Sequence, residues 1–178
     1  MQPILIIATD GFEQSELTEP KRLLEEAGAE VVVASLEEGE ITGWDEKDWG
    51  DSVAVDKLVD DVSAEDYAAL LLPGGQINPD KLRMNETVIG LVQQFDEAQK
   101  PIAAICHAPW LLVEANIVGG RTVTGWPSIR TDLANAGATV VDESVAIDGN
   151  IITSRKPDDI ADFTRALKDA VGLSEEAG

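Results

Sequence analysis

The chain has 178 residues, 34 of them Asp or Glu and 13 Lys or Arg, for a formal net charge of −21. Apolar residues make up 44%, enough for a full core at this length, which excludes a disordered chain. One cysteine, Cys106, excludes an intrachain disulfide and a multi-cysteine metal site.

So acidic a chain, with its basic residues scattered, is a poor ligand for nucleic acid or for an anionic membrane surface. The acidity reads either as a solvated surface that keeps the protein soluble or as adaptation to high salt. A calcium store fits poorly, because no loop alternates oxygen ligands and closes on a glutamate. The opening MQPILIIATDG has neither the basic region nor the apolar length of a signal peptide. The most apolar stretch, residues 101–120, is interrupted by His107, Pro109, Glu114 and Asn116, so it is not a membrane span. With a free thiol, these features place the expected location in the cytoplasm.

Ile4 to Ala8 is a short, continuous apolar run, as expected of a strand buried on both faces. A helical pattern follows through Leu17, Leu23, Leu24 and Ala27, with Pro20 read as early in the helix and Gly28 as its terminator. Residues 30–35 (EVVVAS) form a second buried strand, and this β-α-β spacing is the signature of a parallel sheet. Residues 37–61, rich in Asp, Glu and Gly and holding Trp44 and Trp49, read as an excursion with a hairpin, 40–43 against 52–55. The two tryptophans are expected either at an interface or in a small packed side cluster.

Ser63, with Asp66 three residues on, reads as a helix cap. A strand at 69–72 ends in Pro73-Gly74-Gly75, and Asn85 caps a helix that runs to about Ala98. A strand at 101–105 leads straight into Cys106 and an apolar helix to about Ala115. Further along come a short strand at 121–124, a helix over 128–136 closed by Gly137, and a strand at 139–141. A hairpin pairs 144–147 with 150–154 about Asp148-Gly149, and Pro157 opens a last helix through Ile160, Phe163, Leu167 and Val171. The expected architecture is α/β, one domain over 1–172 with a mainly parallel central sheet, then an acidic tail over 173–178.

Active sites of open parallel sheets lie beyond the C-terminal strand ends. Three such ends carry unusual chemistry here. Cys106 sits between a strand and a helix, the sharp joint that presents a nucleophile. There the amides of the following helix are expected to favour a thiolate. A lone cysteine is ordinarily an inert core residue, and its place beside the only histidine, His107, argues otherwise. His107 is either a satisfied structural histidine or a proton carrier. Gly74 and Gly75 make a simple turn or, with the His107 amide, an oxyanion pocket. Glu13 is either a solvated acid or a carboxyl with raised pKa held near the sulfur. Trp126 is a pocket wall or core filler.

Together, ATDGFEQSEL, VVVAS, LLLPGG, QKPIAAICHAP, NAGATVVDE and IDGNIITSR resemble the PfpI family of the class I glutamine amidotransferase-like superfamily, over residues 4 to about 171. The resemblance implies a flavodoxin-like three-layer sandwich with a nucleophile elbow at Cys106. It matches Glu13 to the carboxylate that approaches the sulfur and His107 to the adjacent histidine. It also matches Asp80 to the acid that orients this histidine across a subunit interface, although the segment is one residue longer here and carries Asp in place of Glu. Trp126 takes the place of a common tyrosine. Family activities range over peptidases assembled from dimers (up to trimers of dimers), glyoxalases or deglycases acting without metal or cofactor, and redox-responsive chaperones. The expected substrate is accordingly a small aldehyde or glycated adduct, or a peptide, and the expected assembly a homo-oligomer.

Overall fold

Ile4–Ile7 forms β1, and all four of its side chains are buried. In the computed structural model, which describes residues 1–173, it leads into α1 (Gln14–Glu26), β2 (Val31–Ser35), the hairpin β3 (Glu40–Asp45) and β4 (Asp48–Ala54), and β5 (Lys57–Leu58). Two 3-10 turns, Val59–Asp61 and Ala64–Asp66, precede β6 (Ala69–Leu72), α2 (Ile77–Leu82), α3 (Glu86–Glu97) and β7 (Ile102–Ile105). Then come α4 (Pro109–Glu114), β8 (Thr122–Val123), the 3-10 turn Pro127–Ile129, α5 (Arg130–Asn135), β9 (Thr139–Val140), β10 (Ala146–Asp148) and β11 (Ile151–Ser154). A last 3-10 turn, Pro157–Asp159, opens α6 (Ile160–Ala170). The acidic tail expected after Leu173 lies outside the described residues.

The central sheet has the order β10-β11-β7-β6-β1-β2-β5, and every neighbouring pair is parallel except β10 with β11. Alternate residues of β1 serve opposite faces. Leu5 and Ile7 pack with Leu91, Val92 and Phe95 of α3 and with Leu111 and Leu112 of α4. Ile4 and Ile6 pack with Leu17 and Leu24 of α1 and with Phe163 and Leu167 of α6. Two cores around one sheet make three layers. They also explain why the inner strands read as unbroken apolar runs rather than alternating ones.

Several expectations shift in detail. Pro20 stands at the seventh residue of α1, past the first turn where proline is tolerated. Ser63 makes no side-chain cap, and the segment after it is one 3-10 turn. Asn85 does cap α3, its side chain accepting from the Val88 amide. α2 was not legible in sequence, because the Pro and Gly residues around it read as turn. Its Pro79 falls within the first turn, where the missing N–H costs nothing. β8 and β9 pair with each other in a separate two-stranded sheet.

The candidate active site

Cys106 follows β7 with φ at 66°, a left-handed conformation that side chains seldom adopt outside tight elbows. Its amide donates to the Ser154 carbonyl of the neighbouring strand at 3.0 Å, and its carbonyl accepts from the Trp126 amide at 2.8 Å. The joint is thus pinned on both sides, with the thiol facing a cavity of about 420 Å³. The amides of Gly75 and His107 donate to the sulfur. Gly75 has φ at +84°, and a Cβ there would stand 2.6 Å from the Gly11 carbonyl oxygen, so only glycine lets its amide reach this place. Gly74 plays a different part from the one expected of it. Its amide donates to Glu16 Oε1 at 2.9 Å and its carbonyl accepts from the Glu13 amide at 3.2 Å.

Glu16 is the carboxyl that sequence reading missed. It is fully buried in the first turn of α1 and lines the cavity. A Cβ on Gly74 would stand 2.5 Å from its Oε1 and 2.6 Å from Cys106 Cβ, so the missing side chain lets the carboxyl and the thiol crowd the same backbone. Oε2 has no hydrogen-bond partner among the described residues. Burial, then the charge of Glu13, push Glu16 up to about 8, against the pull of the Gly74 amide. Glu13, the acid singled out from sequence, lines the same cavity half-buried and is raised by burial and by the charges of Asp45 and Glu46. Residues 13 and 16 stand about one helical turn apart at the start of α1, and nothing in their spacing tells which of the two faces the sheet.

Burial pushes the Cys106 thiol up, the charge of Glu16 adds to this, and the Gly75 and His107 amides oppose it. This corrects the expectation of a thiol lowered by its helix. α4 is six residues long and begins only at Pro109, too short and too far along for a strong dipole at the sulfur.

His107 Nδ1 lies 3.3 Å from Sγ and Nε2 lies 3.3 Å from Ser128 Oγ. Burial lowers the pKa of the ring. Trp126 stacks on it with centroids 5.8 Å apart, and Trp110 meets it edge-on at 5.0 Å. Trp126 also lines the cavity, so it is a pocket wall. Ser128 thus occupies the position at which a carboxylate was expected. Asp80 is exposed on α2, is not part of the cavity wall, and makes no hydrogen bond to His107 within the chain. No group of three or more His, Cys, Asp or Glu side chains placed to hold a metal occurs among the described residues. Nor is any described helix long and apolar enough to cross a membrane.

Asn78 is a second residue that sequence reading passed over. Fully buried on α2, it accepts from the Thr9 amide at 2.8 Å and donates to the Pro73 carbonyl at 2.9 Å. It therefore clamps the loop after β1 to the loop after β6, the two that carry Glu13, Gly74 and Gly75. Asn78→Ala is expected to destabilise the protein by about 3 kcal/mol, because it strands buried backbone groups without water. Urea denaturation of the two proteins checks this.

The DJ-1/PfpI family profile matches residues 2–170. In Bacillus subtilis, the protein named "Putative cysteine protease YraA" is 44% identical over 163 residues, covering 91% of this chain and 94% of that one. "Deglycase TK1284" of Thermococcus kodakarensis is 41% identical over 162 residues, covering 91% of this chain and 95% of that one. Drosophila melanogaster DJ-1beta superimposes with a TM-score of 0.86 at 29% identity, covering 97% of this chain and 92% of that one. A two-domain protein of Anabaena variabilis, with DJ-1/ThiJ/PfpI-like and ferritin-like domains, superimposes with a TM-score of 0.91 at 35% identity. This chain is covered over 97% of its length there and spans about half, 48%, of that protein. A parallel sheet with its cysteine at a strained elbow, matched by the family profile along almost its whole length, places this chain in the DJ-1/PfpI family.

Proposed function

We propose that the protein is a cysteine enzyme of carbonyl stress, converting small α-oxoaldehydes or their adducts with the side chains present in the site. The observation that carries this reading is the convergence on Sγ of two backbone amides, with a buried acid and a histidine alongside, in a cavity sized for a small molecule. The relatives named as deglycases support it.

Glu16 and Cys106 share the chemistry of one proton. With a pKa of about 8, Glu16 is mostly protonated at neutral pH, so its charge no longer opposes the thiolate. The thiol, which burial holds protonated, first gives its proton to solvent by way of His107 Nδ1, 3.3 Å from Sγ, and the sulfur so ionised adds to the aldehyde carbon of methylglyoxal. The carbonyl π pair moves to oxygen beside the Gly75 and His107 amides, and the proton comes from Glu16. The product is a hemithioacetal. His107 is neutral because burial lowers its pKa. With Nε2–H donating to Ser128 Oγ, the Nδ1 lone pair takes the proton from the former aldehyde carbon. The electron pair shifts toward the adjacent ketone, and reprotonation there leaves the thioester of a 2-hydroxy acid. Water attacks the acyl carbon, Sγ leaves with the bonding pair, and a proton returns to Glu16. One carbon is oxidised while its neighbour is reduced, so no external oxidant is needed.

A peptidase would need a carboxylate on His107. Within the chain Ser128 fills that place, and Asp80 would have to come from a neighbouring copy. Methylglyoxal loss, lactate formation and fluorogenic-peptide cleavage, measured in parallel, test the proposal. Cys106→Ser is expected to lower lactate formation by at least about 10³-fold. Peptide cleavage that disappears in both Cys106→Ser and Asp80→Ala overturns the reading in favour of an oligomeric peptidase. No turnover of either substrate, with two oxygens added to Cys106 by mild peroxide, overturns it in favour of a redox-sensing chaperone.

A further inference from the structure

The β3–β4 excursion does not stand apart from the sheet. Gly11 N–H donates to the Thr42 carbonyl at 2.9 Å, Thr42 N–H to Asp10 Oδ1 at 2.8 Å, and Trp44 N–H to the Phe12 carbonyl at 2.7 Å. Gln14 takes the Asp51 amide on Oε1 at 2.7 Å. These bonds fasten the hairpin to the segment that carries Glu13 and Glu16. They bring Trp44 and Glu46, at its turn, into the wall of the Cys106 cavity. Trp44 is held further by Trp49, edge-on at 5.4 Å, and by its own indole N–H, which donates to the Glu46 carbonyl.

The wall so completed is one-sided in charge. Glu13 and Glu46 contribute carboxylates to it, Glu16 beside them is mostly protonated at neutral pH, and no Lys or Arg lines it. Its flat surfaces are the rings of Trp44, Trp126 and His107. Carboxylates beside indole faces are the surroundings in which a cation is held, by charge and by the ring quadrupole together. The unpartnered, fully buried Oε2 of Glu16 belongs to the same wall. Burial raises Glu13 and the charges of Asp45 and Glu46 add to it, a crowding of like charge that a bound cation relieves and a bound carboxylate worsens.

We propose that the hairpin tip makes this a charge-selecting site: it favours carbonyl substrates that carry a positive group near the reacting carbon and rejects those that carry a carboxylate, with Glu46 as the specificity-determining residue and Trp44 as the ring that seats the cation. The proposal names a substrate class for the function proposed above and rests on that reading for its biological sense. The charge selection itself is measurable without turnover.

The test is the rate at which Cys106 is modified by two methanethiosulfonates of similar size, one ending in trimethylammonium and one in sulfonate. In each case Sγ attacks the reagent's sulfenyl sulfur, a mixed disulfide forms and methanesulfinate leaves with the bonding pair. At low salt the cation-to-anion rate ratio is expected to exceed that of 2-mercaptoethanol at least about tenfold, and to fall in 1 M salt. Glu46→Gln is expected to lower the ratio about threefold or more, while Glu97→Gln, the same charge change on the exposed side of α3, leaves it unchanged. A ratio equal to that of the free thiol overturns the proposal. Equal effects of the two substitutions overturn it too, because selection would then belong to the whole molecule's charge and not to the hairpin. If lactate formation fails while the ratio stands, the reaction assigned above is wrong and the charge selection survives. If lactate forms and the ratio is that of a free thiol, the reverse holds.

Discussion

Glu16→Gln should abolish most of the protein's loss of stability between mildly acidic and mildly alkaline pH. Glu16 has a pKa near 8 in the folded chain, against 4.5 ordinarily, because folding buries it beside Glu13. A carboxyl raised in this way keeps its full contribution below the unfolded value, where both states carry the proton. That contribution is lost as the pH climbs through the folded value, where the buried group must either hold its proton or pay for its charge. Over that span the wild type forfeits roughly 4 kcal/mol on account of this residue. Glutamine keeps the shape, leaves an acceptor for the Gly74 amide and carries no charge at any pH. Urea denaturation at pH 5, 7 and 9 is the measurement. The two proteins should be of similar stability at pH 5, and the variant should be the more stable by several kcal/mol at pH 9. Parallel curves would show that Glu16 is ionised throughout and would remove the acid from the proposed chemistry. The variant should also lose turnover, since an amide cannot deliver the proton that the developing oxyanion takes.

Gly75→Ala should damage both the fold and the site. Its φ of +84° disfavours any side chain, and the new Cβ would meet the Gly11 carbonyl oxygen at 2.6 Å and the Glu13 amide nitrogen at 2.8 Å. Both are backbone atoms of a segment already fastened to Gly74 and to the hairpin, so neither yields cheaply. A cost of about 3 kcal/mol is expected. At this chain length that amounts to a Tm lowered by roughly 6–12 °C. Any relief moves the Gly75 amide away from the sulfur, so kcat should fall about 100-fold or more even in the fraction that remains folded. Calorimetry and turnover at 20 °C separate the two effects. An alanine variant with wild-type kcat would show that this amide does not serve the reaction.

The central sheet was readable because its strands are buried on both faces and so appear as uninterrupted apolar runs, Ile4–Ile7 and Ala69–Leu72 most plainly. The Cys106 joint and the glycine pair were readable because a turn between strand and helix admits few residue types. Distances across the sequence were not. Which of Glu13 and Glu16 goes deeper depends on how α1 rotates against the sheet, and the spacing of acids in an acidic chain does not reveal that. Ser128 was invisible as the partner of His107, because 21 residues separate them and serine is common in loops. Trp44 read as part of an interface or of a small packed side cluster. Its place in the wall of the Cys106 cavity depends on backbone hydrogen bonds between the excursion and residues 10–14, which no side-chain pattern announces.

The φ of 66° at Cys106 sets two selective pressures against each other. Glycine would occupy that backbone at ease, so a chain selected only to stay folded would lose its sulfur there and gain about 1 kcal/mol for doing so. Retaining a side chain in so awkward a posture is a standing tax on durability, and what it returns is a thiol turned onto the lining of a cavity, where a molecule that enters can meet it.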